Sequence, residues 1–184
     1  MKINILSLTV LASVALSMGA IPALAEATGL PLRSTPVPST TNSVPHVQIG
    51  VKPVPALSAL LLRKVAEIPG VDIRPTVISL PGAKGFWVEE SVKLARPEVI
   101  VGGREFAHMH PDGSLHATLP PKLAREAARA GWAVAHPWAR RRPGWEGFVM
   151  VYTPGTMEEL EVVLQLVLAS YNFVTGRDAP ASGG

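Results

Sequence analysis

The tripeptide Pro111-Asp112-Gly113 constrains this chain more than any other stretch, because it stands between two runs whose alternation fixes a register. Proline presets φ, aspartate bonds back to its own backbone, and glycine takes the left-handed position, so the three read as a tight turn. A three-residue hairpin loop, a type I turn closed by a glycine bulge, fits them. His110 then faces Ser114, His108 lies opposite His116, and Phe106 lies opposite Thr118. Side chains alternate across a strand. Arg104, Phe106, His108, His110, Ser114, His116 and Thr118 therefore share one face, and Glu105, Ala107, Met109, Leu115, Ala117 and Leu119 share the other. The second set is nearly all apolar, so register and hydrophobic pattern agree. A slip of one residue would mix imidazoles with methyls on both faces. A lone histidine in a strand is commonly a half-buried residue with a backbone hydrogen bond. Three of the chain's five histidines on one face make a candidate site.

The rest of the chain reads as support for that hairpin. Its 184 residues suffice for one domain with a real core. Residues 1–25 read as an export signal: Lys2 gives the positive n-region, Ile5 to Ala20 the apolar stretch, and Ala23-Leu24-Ala25 the cleavage pattern. Serines, Gly19 and Pro22 interrupt the apolar run, so no stable membrane span is expected after cleavage. The location expected is the periplasm or the exterior. The absence of cysteine rules out disulfides and thiolate metal sites. A net charge of +3, or +2 without Lys2, and no basic stripe interleaved with aromatics argue against nucleic acid as a partner. Residues 26–55, rich in Pro, Ser and Thr, read as a flexible leader, and His46 within it is expected to carry no chemistry.

Between Ala56 and Ile68, Leu57, Leu60, Leu61, Val65 and Ile68 recur at helical spacing. Short β-branched runs at Val71–Ile73 and Thr76–Leu80 follow, with Pro75 marking an edge or a break. Residues 81–85 read as a turn, Phe86–Val92 as a strand, and Val99–Val101 as the lead into the hairpin. Pro120-Pro121 opens a second helix that Gly131 ends. Trp132, His136 and Trp138 then lie in a loop, and Phe148–Tyr152 is a strand. Thr156-Met157-Glu158-Glu159 is a capping box. The helix behind it, to about Thr175, carries Leu160, Val163, Leu164, Val167, Tyr171 and Val174 on one face. Residues 56–176 thus predict an α+β domain of two layers, a mostly antiparallel sheet with helices on one face. Residues 177–184 form a frayed tail. The histidine face would be the open one, with the Trp132–Trp138 loop bringing His136 to the other three.

Such a set allows two kinds of site. A His-x-His pair on one strand with a cross-strand histidine offers three nitrogens to a metal. Neutral histidines without metal act as general bases and hydrogen-bond donors. A hydrolase with Ser114 as nucleophile has little support, for no Gly-x-Ser-x-Gly elbow exists. Glu105 faces the apolar side in the plain register, so it either pairs with a helix residue or lies in a bulge that re-aims it.

Several motifs, in one order, resemble the luciferase domain of bioluminescent fungi and its bacterial relatives. They are Arg104-Glu-Phe-Ala-His-Met-His110, Leu115-His116, Ala130-Gly131-Trp132, His136-Pro137 and Met150-Val-Tyr-Thr-Pro154, continuing through Glu158–Val163 and Ala169-Ser170-Tyr171. The resemblance covers roughly the last half of the chain. It implies an oxygenase with no organic cofactor and dioxygen as co-substrate; the fungal enzymes oxidise an enolic pyrone, 3-hydroxyhispidin. It favours the metal-free site, with His108 or His110 as base and His116 and Arg104 stabilising the oxyanion. His136 and Glu105 complete the expected catalytic set, while Trp132, Trp138 and Ser114 would bind a small-molecule substrate. The rival is a non-enzymatic module that holds a small ligand on the same histidine–tryptophan face. The tight Pro-Asp-Gly loop is shorter than expected for the fungal enzymes, and an export signal with a proline-rich leader stands where those enzymes have a membrane-anchored region. Light emission is therefore not expected. Export makes the first prediction: the chain recovered from its native host begins at Glu26 by intact mass, whereas full-length protein in the cytoplasm would contradict it.

Overall fold

Alternation, proline and glycine set the element boundaries. The computed structural model describes residues 29–179, so the expected export signal, its expected cleavage site and residues 180–184 lie outside the described residues. The elements run α1 (Pro55–Ala66), β1 (Val71–Pro75), β2 (Lys84–Val88), a 3-10 turn (Pro97–Val99), β3 (Glu105–Met109) and β4 (Leu115–Thr118). They continue with α2 (Pro121–Arg129), β5 (Ala133–Ala135), β6 (Phe148–Val151) and α3 (Met157–Thr175). Six antiparallel strands form one sheet in the order β1-β2-β3-β4-β6-β5. The α+β class is as expected. Pro75 ends an edge strand, where a missing N–H costs no ladder bond.

The hairpin has the expected three-residue loop. Gly113 N–H donates to the His110 carbonyl at 3.0 Å, His110 N–H donates to Ser114 O at 2.8 Å, and Gly113 adopts φ +87°. His108 pairs with His116, Ala107 with Ala117, and Met109 with Leu115. Ala107, Met109, Leu115, Ala117 and Leu119 all enter the apolar core, as the register requires. Upstream the register breaks. Trp87 pairs with Glu105 but Phe86 pairs with Ala107, so β3 carries one extra residue, Phe106, in a bulge. Phe106 then packs in the core, 5.7 Å from the Tyr171 ring and 6.2 Å from Phe86, and does not share the histidine face.

Other expectations change for local reasons. Gly85 belongs to β2 rather than to a turn, and Thr76–Leu80 is a loop, not a strand. Residues 133–135 pair with β6 instead of looping. The capping box is half as drawn. Thr156 Oγ1 accepts from Glu159 N–H at 3.2 Å, but the Glu159 carboxylate reaches Gly155 N–H (2.8 Å) and Thr35 (2.7 Å).

Residues 29–55, expected as a flexible leader, lie along the domain. Trp132 Nε1 donates to Pro31 O at 2.6 Å, and Arg33 N–H donates to Ala130 O at 2.9 Å. The Arg33 side chain, 4% exposed, meets Glu159, 1% exposed, at 3.0 Å. Gln48 Nε2 bonds Thr153 Oγ1 at 2.6 Å. A segment short of apolar residues is fastened here through buried polar contacts, which hydrophobic periodicity does not reveal. It covers the histidine face, so that face is buried, not open.

Leu160, Val163, Val167, Tyr171 and Val174 of α3 are fully buried, while Leu164 is only partly so. Leu160→Ala should therefore cost about 2–5 kcal/mol in denaturant unfolding, through a buried cavity. Leu164→Ala should cost clearly less; equal costs would contradict this packing.

Candidate functional site

The bulge in β3 decides what the site contains. It turns Glu105 to the histidine side, the second of the two alternatives open in the sequence. Glu105 is 2% exposed, accepts hydrogen bonds from Thr76 Oγ1 at 2.7 Å and Val77 N–H at 2.9 Å, and lies at ion-pair distance, 3.0 Å, from His108 Nδ1. Space for it comes from Gly85, opposite His108 on β2. A Cβ there would stand 2.6 Å from Trp87 Nε1 and 3.0 Å from the Glu105 carboxyl carbon.

Two further contacts join rings directly, and two others hold a ring to a neighbouring group. His108 Nε2 lies 3.1 Å from His116 Nδ1, and His116 Nε2 lies 3.2 Å from His46 Nδ1. His110 Nδ1 lies 3.0 Å from Ser114 Oγ, which donates to Asp112 Oδ1 at 2.7 Å. A serine hydroxyl has one proton to give, so His110 must be the donor in that pair, and its Nε2 is an acceptor. Trp138 N–H donates to His136 Nδ1 at 3.0 Å, which places the proton of neutral His136 on Nε2. The His136 ring stands 4.5 Å from that of His116 and 5.1 Å from that of His46.

All five histidines are buried, and all five line one cavity of about 250 Å³ with Trp138, Phe148, Val101 and the 78–80 loop. Burial holds His110 down to about 4 and His136 down to about 3, each reinforced by neighbouring rings; the carboxylate of Asp112 opposes the shift at His110. His116, flanked by four other imidazoles, is pushed well below the usual range, chiefly by burial. His46 is lowered by burial as well. These four rings are neutral at pH 7.

Of the expected site residues, His108, His110, His116, His136, Glu105, Ser114 and Trp138 are gathered here. Two are not. Arg104 clamps the β2 exit, its guanidinium donating to the carbonyls of Val88 (2.8 Å), Glu89 (2.6 Å) and Val92. The bulge that admits Glu105 leaves Arg104 outside the expected alternation. Trp132 packs in the core under Arg33, 5.4 Å from its guanidinium carbon. Sequence reasoning missed His46. No local signal marks it: His46 and Gln48, two apart, are buried within an otherwise largely exposed stretch only through long-range contacts.

One ring nitrogen from each of His46, His116 and His136 lies within 4.8 Å of the other two, and the same holds for His108, His110 and His116. Either trio could converge on a small cation. Both need His116, whose two nitrogens already bond His108 and His46, so a cation would displace those bonds.

Fold and site define a small α+β domain built around a buried, histidine-lined cavity. Residues 103–170 match the family model described as Luciferase domain. Similar proteins include the luciferases of Armillaria gallica (31% identity over 170 aligned positions) and Armillaria ostoyae (30% over 170). The luciferase of Armillaria mellea is 30% identical over 171 positions. Over residues 103–170 the chain belongs to the luciferase domain family. Each alignment takes in 82% of this chain and 63% of the relative, so the chain spans less than two thirds of those proteins. No solved structure matches it significantly. No described helix is long and apolar enough to cross a membrane.

Neutral buried histidines link the site to stability. In the unfolded chain each binds a proton near pH 6.5, whereas folded His110 and His136 refuse it until about 4 and about 3. The unfolded state therefore holds more protons in between, and stability rises with pH there. It should be complete above about pH 6.5 and fall on acidification, by up to about 1.4 kcal/mol per pH unit for each such group. Denaturant midpoints equal at about pH 7 and about pH 5 would contradict neutral burial.

Proposed function

We propose that the protein is an exported oxygenase that deprotonates a small enolic or aromatic substrate and lets the resulting anion react with dioxygen. One observation carries this reading: a single cavity sets acceptor nitrogens beside donor groups. Among the described residues, Nε2 of His46 and of His110 has no hydrogen-bond partner and can receive a proton. His136 presents an Nε2–H, and the buried indole N–H of Trp138 has no partner. An enol hydroxyl beside a carbonyl needs that combination, an acceptor for its O–H and donors for its oxygen.

His108 is not the base, since both of its nitrogens are engaged, and the same holds for His116. With Arg104 away from the cavity, the oxyanion role passes to His136 and Trp138. The chemistry balances without a further reactant. The enol O–H bond breaks, the proton goes to a histidine, and the carbanion-like carbon bonds dioxygen. The peroxide oxygen then recovers a proton to give a hydroperoxide. A cavity of about 250 Å³ exceeds the roughly 150 Å³ that holds benzene, so one substituted ring fits inside. A two-ring substrate would project from it.

An oxygen electrode with hydroxypyrones and catechols tests the reading. Uptake is expected for at least one of these classes, with a loss of about 10²-fold or more when the base is removed. Trp138→Phe, which deletes only the N–H and part of the ring system, should lower kcat/KM while the fold persists. Tight binding of these compounds with no oxygen uptake would replace the oxygenase by the binding module.

A further inference from the structure

The five imidazoles differ in which ring nitrogens remain free. The Glu105 carboxylate lies 3.0 Å from His108 Nδ1, and because a carboxylate only accepts, that nitrogen carries the N–H and Nε2 is left an acceptor. His116 must then donate to it from Nδ1 across 3.1 Å, so His116 Nε2 is an acceptor in turn. His46 Nδ1 donates to that nitrogen across 3.2 Å. His46 Nε2 is left as a lone pair, on a ring in the cavity wall. One carboxylate thus orients three rings in series, each carrying its proton on Nδ1.

We propose that His46 is the base of this site, and that His116, His108 and Glu105 relay the charge of the accepted proton away from the substrate. The proposal rests on the enol-deprotonation reading and supplies its proton path. The substrate O–H bond breaks and its proton bonds His46 Nε2. The proton on His46 Nδ1 passes to His116 Nε2, and the proton on His116 Nδ1 passes to His108 Nε2. Three protons each move along one hydrogen bond, and no electron is transferred. The positive charge comes to rest on His108, an imidazolium against the Glu105 carboxylate, where opposite charges favour each other. Every hydrogen bond survives with its direction reversed: His108 Nε2–H donates to His116, His116 Nε2–H donates to His46, and His46 Nε2–H donates to the new oxyanion. His110 has a carboxylate only at second remove, through the Ser114 hydroxyl, so a proton taken there leaves its charge beside the substrate.

The charged groups around the rings are Glu105 at His108, Asp112 behind Ser114 and His110, and Arg141 near His136. Nitrogen-15 NMR of histidine-labelled full-length protein reads the relay without any substrate. Near neutrality His46, His108 and His116 should all carry their proton on Nδ1. On acidification the first proton should make His108 doubly protonated, while His46 and His116 switch from Nδ1–H to Nε2–H and stay neutral. Glu105→Gln removes the charge but keeps the shape, and should send the first proton to another ring and abolish the paired switch. An Nε2–H on His108 or His116 near neutrality would overturn the relay. So would a first cation on His46 or His110, or tight zinc uptake that abolishes the ring–ring bonds. Should the Glu105→Gln variant not fold, the wild-type titration decides alone. Oxygen uptake without the predicted tautomers fails the relay only; the predicted tautomers without oxygen uptake fail the oxygenase reading only.

Discussion

The site depends on the placement of one buried carboxylate. Glu105 lies in a hairpin whose other alternates on the same face, alanine, methionine and leucine, enter the apolar core, and burial there without partners would cost several kcal/mol. The extra residue in β3 sends Phe106 into the core and Glu105 to the other side of the sheet, where three donors await it. Those donors come from separate parts of the chain: the 76–77 loop and the strand that bears His108. Gly85 keeps the space open from the neighbouring strand. A single bulge thereby fixes a loop, a ring orientation and the need for a glycine.

A second constraint is the fastening of residues 29–48. The buried Arg33–Glu159 pair holds this segment against α3, and Gln48 against Thr153 holds it beside the hairpin turn. Breaking one partner of such a buried pair strands the other charge, typically at a cost of about 3–5 kcal/mol. The same attachment delivers His46 to His116 and closes the histidine face from solvent. Packing and chemistry are coupled here: the contacts that bury the rings are those that keep them neutral, and neutral rings are what a base needs.

The family relationship bears on the domain rather than on the whole of the fungal proteins, of which the alignments span 63%. Within the matched stretch the gathered groups are mostly those the motifs carry: Glu105, His108, His110, His116 and His136. Arg104 belongs to the same motif yet serves the backbone, capping three carbonyls at the exit of β2. Motif membership and site membership are therefore separable at adjacent residues.

The sequence by itself determined the hairpin, its odd-length loop and the sharing of one face by His108, His110 and His116. A period of two leaves only one register that buries Ala107, Met109, Leu115 and Ala117 together. It also determined α1, α2 and α3, whose apolar spacing and terminal prolines, glycines and capping threonine are local signals. Tertiary structure alone decided the rest. The bulge at Phe106 arises from pairing with β2, where Gly85 leaves room, and nothing within β3 announces it. The entry of His46 depends on polar contacts about a hundred residues apart, to which neither periodicity nor turn chemistry is sensitive. The proton positions on the rings follow from that assembly, because each is set by the group the next ring meets and not by its own place in the chain.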